Sequence, residues 1–472
     1  MSNSSSRAGA RGGERNCMTE GSLWRNIFVI SLPLILSQVL QVLFNMADVA
    51  VVGSFSSSEA MGSVGSTSIL VTLFTGLLIG MGSGVNVRVA QYLGAGKRER
   101  VRKTVHTSLI LCLGMGVLIC LACVILARPM LELIKTKDEL IDGAVLYFKI
   151  YAFGMPALGI FNFGNAVLSA NGDTRRPLYY LLAAGILNVI LNLVFVIGFG
   201  MAAEGVAIAS IISQYLSAVL VLIHMFRQGD TCSVRFEELK PDSMAVREVL
   251  ALGLPAAFQN AIFAIANLFI QTGVNYFDHV VVEGNSAAAN SDSLVYNVMA
   301  AFYTACSSFM GQNMGAGKRD RVIKSYLICL LYSFIAGALL GGGFVLFGDE
   351  FLALFTKDAA VAEAGMFRLR IMGFSYAVSA FMDCTIAASR GIGKSFAPTV
   401  IVILGSCVFR VAWVYTIFAY FHTMTSLYLL YVFSWSITAI AEIIYFVISY
   451  KKLKLDPPAP AADTAAVGVE EN

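Results

Sequence analysis

The chain has 472 residues, of which 57% are hydrophobic and only 13% are charged, and its formal net charge is +3. Because soluble domains carry about 25% charged residues, this composition excludes a soluble globular protein. The small net charge does not indicate any class of partner. Apolar segments recur along the chain, and each has the length of about 20 residues that a helix needs to cross a bilayer.

The two ends of the chain and its cysteines predict little chemistry. Residues 1–22 are polar and lack the apolar stretch of a signal peptide. The tail from Asp456 to Asn472 is rich in Pro and Ala and is expected to be disordered. The nine cysteines lie mostly inside apolar segments, as small core residues do, so we expect neither a disulfide framework nor a zinc site.

The hydropathy pattern predicts an all-α polytopic membrane protein with twelve transmembrane helices. In the first half the predicted spans are 25–51, 65–90, 104–127, 145–170, 178–199 and 204–226. In the second half they are 248–274, 287–312, 323–347, 364–389, 397–420 and 426–449.

Lysine and arginine residues are distributed unequally between the two sides of these spans. With the N-terminus inside, 24 of the 33 fall on that side, including Arg7, Arg11 and Arg15 before the first span and Lys454 after the last. Only seven fall on the other side. The positive-inside rule therefore predicts that both termini are cytoplasmic, and an even number of spans requires that both ends share one side.

A basic loop occurs twice, 221 residues apart. Gly94-Ala95-Gly96-Lys97-Arg98 follows the second span, and Gly315-Ala316-Gly317-Lys318-Arg319 follows the eighth. Leu32-Pro33 likewise returns as Leu254-Pro255, and Thr136-Lys137-Asp138 returns as Thr356-Lys357-Asp358. Such a repeat indicates two copies of one unit. Six spans per copy give both copies the same orientation, so we expect two lobes related by a pseudo-twofold axis along the membrane normal.

The predicted domain organisation follows from this repeat. Two bundles with a cleft between them are typical of a secondary transporter. The predicted parts are an N-terminal cytoplasmic tail at 1–24, an N-lobe at 25–226, a cytoplasmic linker at 227–247, a C-lobe at 248–450 and a disordered cytoplasmic tail at 451–472.

Ionisable residues inside the spans are few, and each costs about 2.5–3.5 kcal/mol at mid-membrane. Asp48 in span one shares a helix face with Asn45. Asp48 is either an aspartate solvated near the interface or a carboxylate that binds H⁺ or Na⁺. Asp383 in span ten and Arg410 in span eleven could pair with each other. Glu442 in span twelve is interpreted as a side chain that reaches the interface near Lys451 and Lys452.

Polar side chains in spans five and six allow two readings. Asn188 and Asn192 lie one turn apart and either bond to a neighbouring helix or face a cavity. Ser210 in span six could serve only close helix packing.

No pattern of a nucleotide-binding protein or of an enzyme is present. Gly391-Ile392-Gly393-Lys394-Ser395 lacks the first glycine of a phosphate loop, because Ala388 stands there. The four histidines have no metal-binding spacing. We therefore expect no cofactor, no ATPase partner and no catalytic residues.

Several segments together resemble the multidrug and toxic compound extrusion (MATE) family of cation-coupled antiporters. The resemblance covers about residues 24–450. The segments are Asn45-Met46-Ala47-Asp48 with Gly53, Ala90-Gln91-Tyr92-Leu93-Gly94-Ala95-Gly96, Gly311-Gln312-Asn313-Met314-Gly315-Ala316-Gly317, Asn188 through Gly198-Phe199-Gly200-Met201, and Phe409-Arg410-Val411.

The resemblance implies a cation site in the N-lobe at Asp48, Asn188, Asn192 and Ser210. Asn192 stands where the family has a carboxylate, and Ser210 where it has a threonine. No metal is implied beyond Na⁺ at Asp48. Further residues considered for substrate binding or coupling are Gln38, Asn45, Gln259, Asn260, Asn267, Asp383 and Arg410. Aromatic and methionine residues considered for the substrate cleft are Met46, Phe161, Phe163, Phe258, Phe263 and Tyr303.

The function that the resemblance implies is export of amphipathic organic cations in exchange for H⁺ or Na⁺, by alternating access, in the cell membrane. The expected partners are small organic molecules and the lipid bilayer, and not nucleic acid. Two alternatives stay open. One is a lipid-linked oligosaccharide flippase, which a basic cleft would favour. The other is a scaffold or receptor that transports nothing, against which Asp48 and the polar face of span five argue.

Overall fold

The computed structural model describes residues 18–55 and 58–453, and within these ranges it is helical, with no strand. The predictions that concern Arg7, Arg11, Arg15, Lys454 and the C-terminal tail lie outside the described residues.

The first half of the chain forms seven α-helices. Their bounds are α1 Leu23–Phe55, α2 Ser58–Gly94, α3 Arg98–Leu133, α4 Asp138–Ala152, α5 Met155–Ala170, α6 Arg175–Leu193 and α7 Ala203–Arg227, with a π-helical segment at Val194–Gly198 after α6.

The second half repeats this order with more interruptions near its end. Its helices are α8 Ser243–Val274, α9 His279–Gly315, α10 Arg319–Leu346, α11 Gly348–Leu352, α12 Ala359–Gly391, α13 Phe396–Val402, α14 Phe409–Trp413, α15 Ala419–Phe421 and α16 Met424–Lys451, with π-helical segments at Ile403–Val408 and Val414–Phe418.

The predicted twelve-helix, two-lobe fold is confirmed. Ten helices of the described part are long and apolar enough to cross a membrane, and the pair α4 and α5, bent by 45°, makes an eleventh span. The twelfth is α9, a helix of 37 residues at the position of predicted span eight, which is too polar to be recognised by composition alone. Most helices extend several residues beyond the predicted spans, because the hydropathy pattern marks only their apolar middle.

The first helix of each half packs against the second helix of the other half. Ile27 and Ile30 of α1 are buried in one core cluster with Val295 and Met299 of α9. In the equivalent contact of α8 with α2, the backbones approach so closely that a Cβ added at Gly80 would lie 2.3 Å from the Ala257 nitrogen. The two lobes are therefore joined by crossed contacts, in which the first helix of each half packs on the second helix of the other.

The two basic loops have the same conformation. Gly96 and Gly317 both have positive φ, at 66° and 69°, a region that side chains with a Cβ rarely adopt. Each loop leads directly into the next helix, so the structure preserves the repeat that the sequence indicates. We call the end of the molecule that carries these loops the basic-loop end.

The segments that precede α1 and α8 each bind the opposite lobe at the basic-loop end. Arg321 of α10 donates to the carbonyl oxygens of Met18 (3.2 Å), Glu20 (3.1 Å) and Gly21 (2.9 Å), and Met18 is buried. We call residues 18–21 the strap. Its contacts with Arg321 hold the start of α1 against the second half of the chain.

The segment before α8 is anchored on the N-lobe in the same way. Asp242 receives a hydrogen bond from Ala245 N (2.9 Å), which caps α8, and its backbone N donates to Thr107 Oγ1 of α3 (3.0 Å). The Ala245 hydrogen bond and the guanidinium of Arg100 (3.3 Å) lower the pKa of the Asp242 carboxyl below its usual value. Each half thus binds the segment that precedes the first helix of the other half.

We predict that Gly80→Ala lowers the thermal stability of the protein, whereas Gly114→Ala does not. A Cβ at position 80 meets the backbone of α8, and overpacking of this kind costs about 1–3 kcal/mol. A Cβ at position 114 meets nothing within 4 Å, so it serves as the matched control. The measurement is the apparent melting temperature in detergent, and equal values for the two variants would contradict the close contact of α2 with α8.

Candidate functional site

Four polar residues from three helices of the N-lobe meet at one point. Asn192 Nδ2 donates to Asp48 Oδ1 (2.5 Å) and to Asn188 Oδ1 (3.3 Å). Ser210 Oγ donates to Asp48 Oδ2 (3.4 Å), and Asn188 Nδ2 donates to Ser210 Oγ (3.4 Å). The structure therefore brings together all four residues that the resemblance implies for a cation site, and we call them the Asp48 cluster.

Close packing of α1 on α6 positions this cluster. A Cβ added at Gly185 would lie 1.8 Å from the ring of Phe44, so glycine allows the two helices to approach one turn before Asp48 and Asn188. The π-helical segment Val194–Gly198 begins two residues after Asn192. Such segments are frequent at functional sites, because they change the direction of the side chains that follow.

The Asp48 cluster is largely shielded from solvent. Asn192 is fully buried, and Asn188 and Ser210 are each 6% exposed. Val51 and Val52 of α1 pack beside the cluster in an apolar core with Tyr147. A carboxyl group in such surroundings interacts strongly with any cation that reaches it.

The cluster can accept one more donor or cation. Asn192 Oδ1 is buried and has no hydrogen-bond partner among the described residues. Together with the carboxylate oxygens of Asp48, it supplies hard oxygen ligands of the kind that alkali and alkaline-earth ions prefer. The same atoms suit a proton, because a protonated Asp48 needs one acceptor.

The other polar residues considered from the sequence do not join the cluster. Asn45 and Asn267 are exposed, and Gln38 is half-buried. Asn260 Nδ2 donates to the Gly76 carbonyl (3.0 Å), so its amide joins the two lobes. Gln259 Oε1 accepts a hydrogen bond from Arg390 Nη2 (2.8 Å) inside the C-lobe.

The apolar residues considered for the cleft separate into three groups. Phe161, Phe163 and Tyr303 are buried in core clusters, at 5%, 0% and 8% exposure, so they do not line a cleft in this structure. Phe263 is half-buried, and the Arg410 guanidinium lies 5.8 Å from the centre of its ring. Met46 and Phe258 are exposed, at 42% and 56%.

Arg410 is buried, and no carboxylate of the described residues lies within 4.0 Å of it. Its Nε donates to Ser434 Oγ (3.0 Å), and its guanidinium lies over the rings of Tyr431 (4.8 Å) and Trp435 (5.6 Å). Arg410 Nη2 has no hydrogen-bond partner in the described part of the chain. The suggested ion pair with Asp383 is not formed, since the described residues place no contact within 4.0 Å between them, and the guanidinium interacts with aromatic rings instead.

The interpretation of Glu442 as an interfacial side chain is wrong. Glu442 is fully buried, between the buried residues Ala439 and Phe446 of the same helix. Helix α16 continues to Lys451, so Glu442 lies more than two turns inside its end and cannot reach the interface. Neither carboxyl oxygen has a hydrogen-bond partner among the described residues.

The sequence reasoning missed a buried ion pair in the C-lobe. Arg368 of α12 is 3% exposed, pairs with Asp292 of α9 and donates to the Asn285 carbonyl (3.0 Å). Tyr376 also donates to the Asp292 carboxylate. Two opposite charges inside predicted spans eight and ten, Asp292 and Arg368, are the signal in the sequence that each of them needs a buried partner.

A protein-family model described as MatE matches residues 33–194 and 255–416, which are corresponding parts of the two halves. The probable multidrug resistance protein NorM of Thermotoga maritima is 25% identical over 411 residues, covering 84% of this chain and 86% of that protein. The FAD transporter of Shewanella oneidensis is 23% identical over 370 residues, covering 77% and 81%.

Solved structures share the fold. The outward-facing conformation of a multidrug resistance MATE family transporter of the MOP superfamily is 21% identical, with a TM-score of 0.86 over 93% of this chain and 98% of that one. A Pyrococcus furiosus MOP superfamily transporter, for which reverse polarity of the binding pocket is said to suggest a different function, is 22% identical, with a TM-score of 0.86 over 92% and 97%.

We predict that Arg368→Met destabilises the protein by an amount on the order of 3 kcal/mol, because it leaves the Asp292 charge unpaired. The double variant Arg368→Met/Asp292→Asn should recover part of this loss, and a double-mutant cycle measures the coupling. Arg128→Met, at an ion pair whose side chains are 53% and 83% exposed, is the control and should change stability little. A double variant no more stable than Arg368→Met would contradict the assignment.

Proposed function

The chain belongs to the MatE family of membrane transporters, and from this premise we propose that it exports amphipathic organic compounds in exchange for H⁺ or Na⁺. The names of relatives such as the probable multidrug resistance protein NorM support a broad range of substrates. We place the transporter in the cell membrane with both termini in the cytoplasm, on the basis of its Lys and Arg distribution.

The Asp48 cluster is the observation that carries this proposal. It contains one carboxyl group, two amides and one hydroxyl, contributed by α1, α6 and α7. A carboxylate inside a membrane protein is costly and typically marks an ion pathway. Since the cluster has a buried acceptor in Asn192 Oδ1 that lacks a partner among the described residues, it has an acceptor atom to offer one added proton or cation.

Ion binding at Asp48 would act on the contact of α1 with α6 and α7. The unprotonated carboxylate accepts hydrogen bonds from Asn192 and Ser210. Protonation converts one carboxyl oxygen into a donor. A proton on Oδ1 would require the Asn192 amide to present its oxygen instead of its nitrogen, and a proton on Oδ2 would require the Ser210 hydroxyl to accept instead of donate. The hydrogen bonds that join three helices therefore change with the charge of Asp48, and this change can alter the relative stability of two arrangements of the lobes.

The membrane potential gives the scale of the driving force. One elementary charge that crosses 100 mV carries about 2.3 kcal/mol. This corresponds to roughly 50-fold accumulation of a neutral substrate. A single coupled ion is thus sufficient for substantial export of a neutral compound. For a monovalent organic cation the one-for-one exchange moves no net charge, so the concentration gradient of the coupled ion supplies the driving force.

Substrate contact is proposed for exposed apolar residues of the two lobes. Met46 lies two residues before Asp48 on α1, and Phe258 lies on α8, which packs against α2. Both side chains can contact an amphipathic molecule without specific hydrogen bonds, as a broad substrate range requires.

A second candidate function is export of an anionic compound, such as a lipid-linked oligosaccharide. It is favoured by Arg410, a buried guanidinium that has one unpartnered nitrogen and no carboxylate within 4.0 Å in the described part of the chain. A phosphate or carboxylate group on the substrate would pair with it. The relative named FAD transporter carries an anionic cargo by its name.

We predict that Asp48→Asn abolishes gradient-driven export of a cationic dye. Neutral Asn cannot bind or release a proton and binds Na⁺ more weakly, so coupling should be lost. The assay uses purified protein in proteoliposomes with separately imposed H⁺ and Na⁺ gradients. Asp142→Asn, in which an exposed aspartate paired with Arg128 is changed, is the matched control and should retain export.

Three outcomes of this assay are informative. Export by Asp48→Asn at the wild-type rate would contradict the role of Asp48. Export by wild type under only one gradient identifies the ion. Absence of dye export by wild type, together with export of a phosphate-bearing substrate, would favour the second candidate function.

We further predict that Asn192→Asp increases Na⁺-driven export relative to H⁺-driven export. Asn192 Nδ2 lies 2.5 Å from Asp48, so a second carboxylate there adds negative charge at the ion position. Asn45→Asp is the control, because Asn45 is exposed on the same helix as Asp48 and outside the cluster. The ratio of initial rates under the two gradients is the measurement, and an unchanged ratio in Asn192→Asp would contradict the prediction.

A further inference from the structure

Two glutamines join the lobes by reciprocal hydrogen bonds at the basic-loop end. Gln91 Nε2, near the end of α2, donates to the Gly391 carbonyl at the end of α12 (2.9 Å). Gln312 Nε2, near the end of α9, donates to the Ala170 carbonyl at the end of α5 (2.6 Å). Donors and acceptors are each 221 residues apart, so the two bonds are images of each other in the repeat.

Each glutamine donates a hydrogen bond to the last carbonyl group of a helix in the other half. The last carbonyl groups of an α-helix have no partner within that helix. Gly391 and Ala170 are the final residues of α12 and α5, and each receives its donor from across the interface. The glutamines are only 7% and 6% exposed, so water does not readily replace these hydrogen bonds.

Two glycines bring the backbones of α2 and α9 into direct contact beside these bonds. A Cβ added at Gly94 would lie 1.9 Å from the Gln312 carbonyl oxygen, and one added at Gly315 would lie 1.9 Å from the Gln91 carbonyl oxygen. Neither glycine has a positive φ, so space and not backbone conformation requires glycine there.

In the first copy of the repeat, the charged side chain of Arg88 holds Gln91 in position. Arg88 Nη1 donates to Gln91 Oε1 (3.0 Å), which directs the amide nitrogen toward Gly391. Arg88 also lies 3.8 Å from Glu248 of α8, and Tyr92 donates to Glu248 (2.5 Å). These contacts cross the same interface as the glutamine bonds.

We infer that Gln91 and Gln312, with Gly94 and Gly315, form a twofold latch that keeps the basic-loop end closed and must open before this end can admit substrate. The inference rests on the proposed function, because alternating access requires the lobes to separate there. Both bonds join opposite lobes, so separation about the pseudo-twofold axis breaks them together. The latch thus sets the equilibrium between the closed and open states of this end.

The test measures this equilibrium directly, without substrate or gradient. Spin labels are placed at exposed positions of the two lobes, Arg175→Cys and Phe396→Cys, in a Cys17→Ser background; the eight described native cysteines are buried. Pulsed dipolar spectroscopy in nanodiscs then gives the populations of short and long distances.

One variant removes the two interlobe hydrogen bonds of Gln91 and Gln312, and the other prevents the close approach of the two backbones at Gly94. Gln91→Met/Gln312→Met retains side-chain length but cannot donate, and it should lower the closed-to-open ratio roughly 30-fold, at about 1 kcal/mol per bond. Gly94→Ala inserts a Cβ against the opposite backbone and should remove most of the short-distance population. Gln228→Met and Gly343→Ala are the controls, since Gln228 bonds within its own segment to Asp230 (2.5 Å) and a Cβ at 343 meets nothing within 4 Å.

The outcomes separate the latch from the transport proposal. Wild-type distance distributions in both the double Met variant and Gly94→Ala, with monodisperse protein, would overturn the latch even if dye export is normal. A shift toward long distances in both, with unchanged controls, supports the latch even if wild type exports no dye. Elution profiles and melting temperatures establish that each variant is folded.

Discussion

Contact between backbones across the two lobes is the constraint on which this structure depends. Lipid tails are as apolar as the side chains of the helices, so a membrane bundle is held by close packing and hydrogen bonds. Here that packing requires glycine at Gly80 in α2 and at Gly94 and Gly315 beside the basic loops. The contacts of α1 with α9 and of α8 with α2 belong to the same arrangement, and the segments before α1 and α8 also bind the opposite half.

The repeat that builds the interface is nearly symmetric, but the charges within the lobes are not. The positions 221 and 222 residues after Asn188 are Phe409 and Arg410, and the position 221 after Ser210 is Tyr431. One lobe therefore has a carboxyl group among amides at the place where the other has a guanidinium among aromatic rings. The π-helical segments Val194–Gly198 and Val414–Phe418 follow both places. The two halves thus share one fold but carry opposite charges at these two places, with Asp48 in the first half and Arg410 in the second.

Much of the fold could be predicted because hydropathy and the repeat are properties of contiguous segments. The membership of the Asp48 cluster could be proposed only through the family resemblance, since Asp48, Asn188 and Ser210 lie far apart in the chain. Pairing across helices could not be predicted. The burial of Glu442, the pair of Arg368 with Asp292 and the isolation of Arg410 all depend on how helices are rotated against each other, which helix periodicity does not fix when a segment is apolar on most sides. Helix α9 was predicted as span eight at 287–312, although it is more polar than the helices that composition alone marks as spans.

The strap 18–21 on Arg321 and the crossed contacts of α1 and α8 have a consequence for the connection between the halves. If each half were a separate chain, its first helix would pack on the second helix of its partner, and the partner would return the same contact. The single chain thus has the arrangement of a parallel homodimer, with the segment 228–242 as a covalent connection between the two subunit equivalents. Such a connection removes the concentration dependence of assembly. It also frees each half to change separately, so a carboxylate could be kept in one subunit equivalent and lost from the other.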